Sequence, residues 1–145
     1  MIQKSQVVPL ILARCPSFQP LWAKHQEFWD GEEAGIFNDL SEFATFIVDA
    51  YASQDTEPVV AAFGLIEELL ADGDDEVRAA AAIGFLEGVR NIASWRPFGA
   101  AAFVQWLGPK SKEAWSEIEE TWRGKRSLAD VVRAELAAAK NKPKS

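Results

Sequence analysis

The sequence predicts an all-α fold, a single-domain bundle of about seven or eight helices, and three observations carry that prediction. Apolar residues recur at helical spacing nearly throughout. No segment shows sustained period-two alternation bounded by hairpin turns. Proline, glycine and short polar residues fall where helices start and stop. The chain has 145 residues, 48% of them hydrophobic and 11% aromatic. That is enough to bury roughly 70% of the unfolded surface in one core, and far from the composition of a disordered chain.

The elements follow in order. A first helix covers about Gln3–Arg14 and stops at Cys15-Pro16-Ser17, since proline does not continue a helix interior. The second runs from about Gln19 to Trp29, with Pro20 in its first turn and Asp30-Gly31 ending it. The third, about Phe37–Ala52, places Leu40, Phe43, Ile47 and Tyr51 at helical spacing. Asp55 or Thr56 caps a fourth helix that opens with Glu57 and Pro58 and has Val59, Phe63, Ile66 and Leu70 on one apolar face. Asp72-Gly73-Asp74 breaks it, and Asp74 or Asp75 caps a fifth helix reaching about Ala93, so the two form a tight antiparallel hairpin.

The fifth helix contains Ala79 to Ala82 in a row, then Gly84 and Gly88. Glycine inside a helix costs about 1 kcal/mol relative to alanine. Two glycines four residues apart therefore imply close approach of a neighbouring helix, with this helix at the centre of the domain. Ser94 to Gly99 is a break. A short helix follows around Ala100–Leu107, then another from about Ser111 to Gly124. Ser127 and Asp130 fit a capping box for a last helix to about Ala139. The domain is expected to span residues 1–139, with 140–145 a frayed basic tail.

Charge is distributed unevenly. From Glu27 to Glu87 there are sixteen carboxylates and one Lys or Arg, Arg78. Residues 1–94 hold 16 acids and 5 Lys/Arg (−11), and residues 95–145 hold 6 acids and 10 Lys/Arg (+4), which together give the net −7. Such a block can be a solvated face, a binding face for a basic protein, or a metal site. Asp72, Asp74, Asp75 and Glu76 could approach Ca²⁺, but the EF-hand loop pattern is absent and helix capping explains that cluster better. Nucleic-acid binding is disfavoured by a pI near 4.8, although an acidic face could imitate nucleic acid toward an enzyme with a basic groove.

A partner surface combines charge with aromatic anchors. The segment from Trp29 to Phe37 has that composition, and Asp30, Glu32, Glu33, Asp39 and Glu42 are the first candidates for contact. Asp72, Asp74, Asp75 and Glu76 join them as candidate partner-binding residues. His25 shares a helical face with Phe18, Trp22 and Trp29, which predicts a partly buried imidazole satisfied by a hydrogen bond. Cys15 reads as a core filler and excludes an internal disulfide, being the lone cysteine. Trp22 with Trp29, and Trp115 with Trp122, read as core faces; the run from Ser94 to Phe98 could be a recognition loop, or its Arg96 could neutralise part of the acidic half. No nucleophile or metal motif stands out, so no catalytic residue and no cofactor is assigned. No apolar run reaches the length of a membrane span, no targeting segment opens the chain, and the expected compartment is the cytoplasm.

Two stretches carry resemblances. Asp72-Gly73-Asp74-Asp75-Glu76-Val77-Arg78-Ala79-Ala80-Ala81 resembles the turn and second-helix opening of a HEAT-type repeat, present once. It implies a helical hairpin with Arg78 bonded locally. The N-terminal helix, the acidic hairpin and the run from Asp75-Glu76-Val77 to Gly84-Phe85-Leu86-Glu87 resemble small bacterial all-helical domains that include immunity proteins of polymorphic toxins. That resemblance implies a non-enzymatic inhibitor that binds one basic toxin in the cytoplasm. A helical adaptor of HEAT-like character is the alternative, and a carboxylate-metal enzyme the more distant one.

Overall fold

A computed structural model describes residues 1–30 and 32–123, and it is all-α. The helices are α1 (Lys4–Arg14), α2 (Gln19–Phe28), α3 (Ile36–Ala52), α4 (Glu57–Asp72), α5 (Asp75–Ala79) and α6 (Glu87–Ser94), followed by helical residues 109–123. Short 3₁₀ segments occupy Pro16–Phe18 and Ala100–Trp106. The chain divides into two compact units, residues 1–115 and 116–145. The last expected helix and the expected basic tail lie outside the described residues.

Local chemistry accounts for the boundaries. Pro20 and Pro58 sit in the first turns of α2 and α4, where a missing N–H leaves no helical bond unmade. Pro9 lies inside α1 on its exposed side, and burial of Val7 and Ile11 on the other side holds that helix in place despite the lost bond. Asp74 caps α5 by accepting from the Val77 N–H at 2.9 Å. Arg78 pairs with Asp75 one turn away, the local bond expected of it.

The turn between α4 and α5 is tied to the start of the chain. The Ile2 N–H donates to the Asp72 carbonyl at 2.8 Å, and the Asp74 N–H donates to the Ile2 carbonyl at 2.9 Å. Gly73 between them is buried, and a Cβ there would lie 2.4 Å from the Leu69 carbonyl oxygen. Only glycine fits that contact without displacing backbone.

The helix expected from Asp75 to Ala93 is present and central, but its middle is not α-helical. Ala80–Leu86 is a π segment, with α5 before it and α6 after it. Along it Val77, Ala80, Ala81, Phe85, Leu86, Val89 and Ala93 are buried. Helix α3 packs along the glycine stripe. A Cβ on Gly84 would meet the Phe37 carbonyl oxygen at 3.0 Å and the Leu40 Cβ at 3.1 Å, and one on Gly88 the Ala44 Cβ at 3.2 Å. The Ser41 hydroxyl donates to the Gly84 carbonyl at 3.3 Å, taking up an acceptor of the widened turn. Phe85 lies between Phe43 and Phe63, with ring centroids 5.4 Å from each. The segment expected as a short helix near Ala100 is 3₁₀, and its Phe103 is fully buried against Tyr51 and Phe63.

The start of the helix over 109–123 is held by a side chain from α4. Glu67 accepts from the Lys110 N–H at 2.8 Å, the Ser111 N–H at 2.9 Å and the Ser111 hydroxyl at 2.8 Å. It therefore satisfies donors that a helix start leaves open. Burial pushes the Glu67 carboxyl up, but the bonds from Lys110 and Ser111 overcome it and hold the group below its ordinary value.

Candidate functional site

Trp22, His25 and Trp29 are spaced by three and four residues, which puts them on one face of α2 and its C-terminal cap. No residue of α2 is fully buried, so this face is half-covered and forms a wall. The chain then reverses. Asp30 takes a positive φ of 48° and Gly35 one of 91°, and Gly35 caps α3. The reversal carries Asp39, in the first turn of α3, back to His25. The imidazole Nε2 lies 3.1 Å from the Asp39 Oδ1, with the His25 side chain 9% exposed and that of Asp39 17% exposed. An ionised carboxylate only accepts, so Nε2 is the donor of this bond. The imidazole is thus hydrogen-bonded and mostly buried, as its face on the helix predicted, and its ring is flanked by Trp22 at 5.5 Å and Trp29 at 6.4 Å.

This wall borders a cleft of about 440 Å³. Trp22, His25, Gln26 and Trp29 line one side, Glu32 to Ile36 and Asp39 the next, and Lys4, Ser5 and Val8 of α1 close it, with Glu76 from α5 at the rim. Burial pushes the Asp39 carboxyl above its ordinary range; the bond to His25 opposes this, and the nearby charge of Glu33 adds to it. Ser5 lines the same cleft without a hydrogen bond to the imidazole.

Four of the nine sequence-predicted residues thus meet here: Glu32, Glu33 and Asp39 from around the loop, and Glu76 from the hairpin some forty residues later. The other five do not. Asp30 is exposed beside the cleft, and Glu42 is half-buried further along α3. Asp74 is occupied as a cap and Asp75 by Arg78. Asp72 lies with Met1, Ile2, Gly73 and Arg78 around a separate open depression. Within the hairpin cluster, capping thus accounts for Asp74 and a local ion pair for Asp75, while Asp72 and Glu76 serve neither. Among the described residues no group of three or more His, Cys, Asp or Glu has an arrangement suited to a metal ion.

The contribution of α1, through Lys4, Ser5 and Val8, had no signal in the sequence. The Trp22–His25–Trp29 spacing was visible as a core face and turns out to be the wall of a cavity. Elsewhere, Cys15 is buried in the core, its thiol 3.6 Å from the Pro58 carbonyl and pushed up to about 11 by burial. In the run from Ser94 to Phe98, Arg96 pairs with Asp49 at 2.7 Å and Phe98 packs on Tyr51, while Trp95 is 85% exposed.

Fold and cleft together define an all-helical domain with an acidic, tryptophan-walled cleft, and among the described residues no helix is long and apolar enough to cross a membrane. A family model described as a domain of unknown function, DUF7674, matches residues 8–123, and the chain belongs to that family. No curated protein and no solved structure matches it.

Proposed function

We propose that this protein is a non-enzymatic inhibitor that sequesters a basic protein partner on the face containing the cleft, and that it serves as an immunity protein or antitoxin against a cognate basic toxin in the cytoplasm. The observation that supports this reading is the convergence of Glu32, Glu33, Asp39 and Glu76 on one cleft beside Trp22 and Trp29. Carboxylates steer a cationic partner and speed encounter. Indole rings at the centre of a contact supply much of the affinity. Both are present within one concave surface of the size partner anchors use.

The test uses the full chain and the product of its neighbouring gene, expressed separately and titrated at low salt. The proposal expects stoichiometric binding that weakens steeply between 50 and 500 mM salt, on the order of a hundredfold, because exposed charges are screened. Combining Glu32→Lys, Glu33→Lys and Glu76→Lys should weaken binding by at least about a hundredfold while leaving the helical circular dichroism spectrum unchanged. Unchanged affinity in that folded variant sinks the cleft as the binding face.

A further inference from the structure

The carboxylates of this molecule differ in whether a cation or donor already holds them. Glu68 is paired with Arg14, Asp49 with Arg96 and Asp75 with Arg78, and Glu67 caps a helix start. Glu32, Glu33 and Glu76 are exposed or at the rim, and among the described residues none of them has an ion-pair partner. Around the cleft they join Asp39, and the basic side chain facing these four is Lys4, His25 being held by Asp39. The cleft therefore has an excess of negative charge over a floor that is largely withdrawn from water, where a cation gains more than it would on an open surface.

The aromatic wall narrows the choice of cation. Indole is the strongest cation–π acceptor among side chains, and Trp22 and Trp29 both line the cleft. A guanidinium is planar, stacks on aromatic faces and donates two parallel bonds to a carboxylate, whereas an ammonium is a strongly hydrated point charge. A cavity of about 440 Å³ falls in the range that binds small ligands, ample for one such side chain and too small for a folded element.

We infer that the cleft is a socket for a single arginine side chain of the partner, its guanidinium lying against the indoles of Trp22 and Trp29 and bonded by Glu32 and Glu33. This deepens the proposed function and rests on its reading of the cleft as the binding face. Lys4 is then a built-in competitor at the rim, and its removal should improve binding, a gain that damage to the fold does not produce.

The experiment titrates the full chain with N-acetyl-arginine amide, N-acetyl-lysine amide and N-acetyl-citrulline amide by calorimetry, with indole N–H chemical shifts read in parallel. Arginine amide should bind and shift the Trp22 and Trp29 signals, lysine amide about tenfold more weakly, and citrulline amide, which keeps the shape without the charge, not at all. Lys4→Gln should tighten arginine amide roughly threefold and Glu33→Gln weaken it by a similar factor. Equal binding of citrulline, equal binding of lysine, or no gain in Lys4→Gln overturns the socket. Partner binding that excess arginine amide does not displace also overturns it, while leaving the inhibitor proposal standing. Arginine amide binding in the absence of any interaction with the partner does the reverse.

Discussion

Helix α2 and the helix running through α5, the π segment and α6 are both rich in information, but they are built on opposite principles. The central one is buried along most of its length and approached so closely by α3 that Gly84 and Gly88 have little room for a methyl group. Helix α2 has no fully buried residue and is anchored at its start by Phe18, which packs on Phe43 and Phe46, and along its length by half-buried rings. The core is therefore shared by the central helix with α3 and α4, and the surface suited to binding is built on a helix that adds little to it. Segments that bind tend to come from the less stable part of a fold.

The contrast can be broken most decisively at Phe85. Phe85→Ala leaves a cavity between Phe43 and Phe63 and should cost about 3–5 kcal/mol in urea unfolding. A cost near 1 kcal/mol would mean the centre is not as closely packed as the glycine contacts indicate.

Glu67→Ala comes next. It removes the acceptor for three hydrogen bonds and should cost about 1–3 kcal/mol at pH 7. Because the folded carboxyl sits below its ordinary value of 4.5, its stabilising effect is present above the unfolded value and lost as pH falls through the lower folded one. Denaturation of wild type and variant should accordingly converge in strong acid, and a gap that persists there would assign the cost to packing instead.

Asp39→Asn sharpens the comparison from the other side. Burial raises the Asp39 carboxyl, so its charged form is disfavoured by folding, and its contribution worsens as pH rises from its unfolded value of 3.8 through the raised folded one. The neutral variant should shift stability at pH 7 by less than about 1 kcal/mol, because its amide oxygen still accepts from His25 and the lost charge assistance is offset by the removed desolvation. Its unfolding free energy should also vary less with pH across the acid range. The smallest effect belongs to Glu32→Gln with Glu33→Gln, which should leave stability within about 0.5 kcal/mol. A larger loss would show these side chains to be structural and not free for a partner.

Sequence reading located the helices well where the signals were local. Pro20, Pro58 and the Asp72-Gly73-Asp74 break mark boundaries that the structure keeps within a residue or two. The glycine stripe announced its packing role because a glycine without a turn needs a neighbour. What was not legible depended on pairs far apart in the chain. The π segment has the same alanine-rich composition as an α-helix, and the closely packed α3 that accompanies it is contributed from forty residues earlier. Glu67 reads as one more acid on α4, although its partners are Lys110 and Ser111. For the cleft, composition pointed to a loop and a hairpin that both contribute lining residues. It did not separate Glu76, which reaches the cleft, from Asp74 and Asp75, which serve their own helix.

The two backbone bonds between Ile2 and the α4–α5 turn act on time as well as on structure. They close a loop of about 70 residues, and a contact of that span is entropically unfavourable until the helices between its ends have docked. It should accordingly form late in folding, so that weakening it speeds unfolding and leaves the folding rate nearly unchanged. Ile2 would then bear on how long the native state lasts rather than on how quickly it is reached.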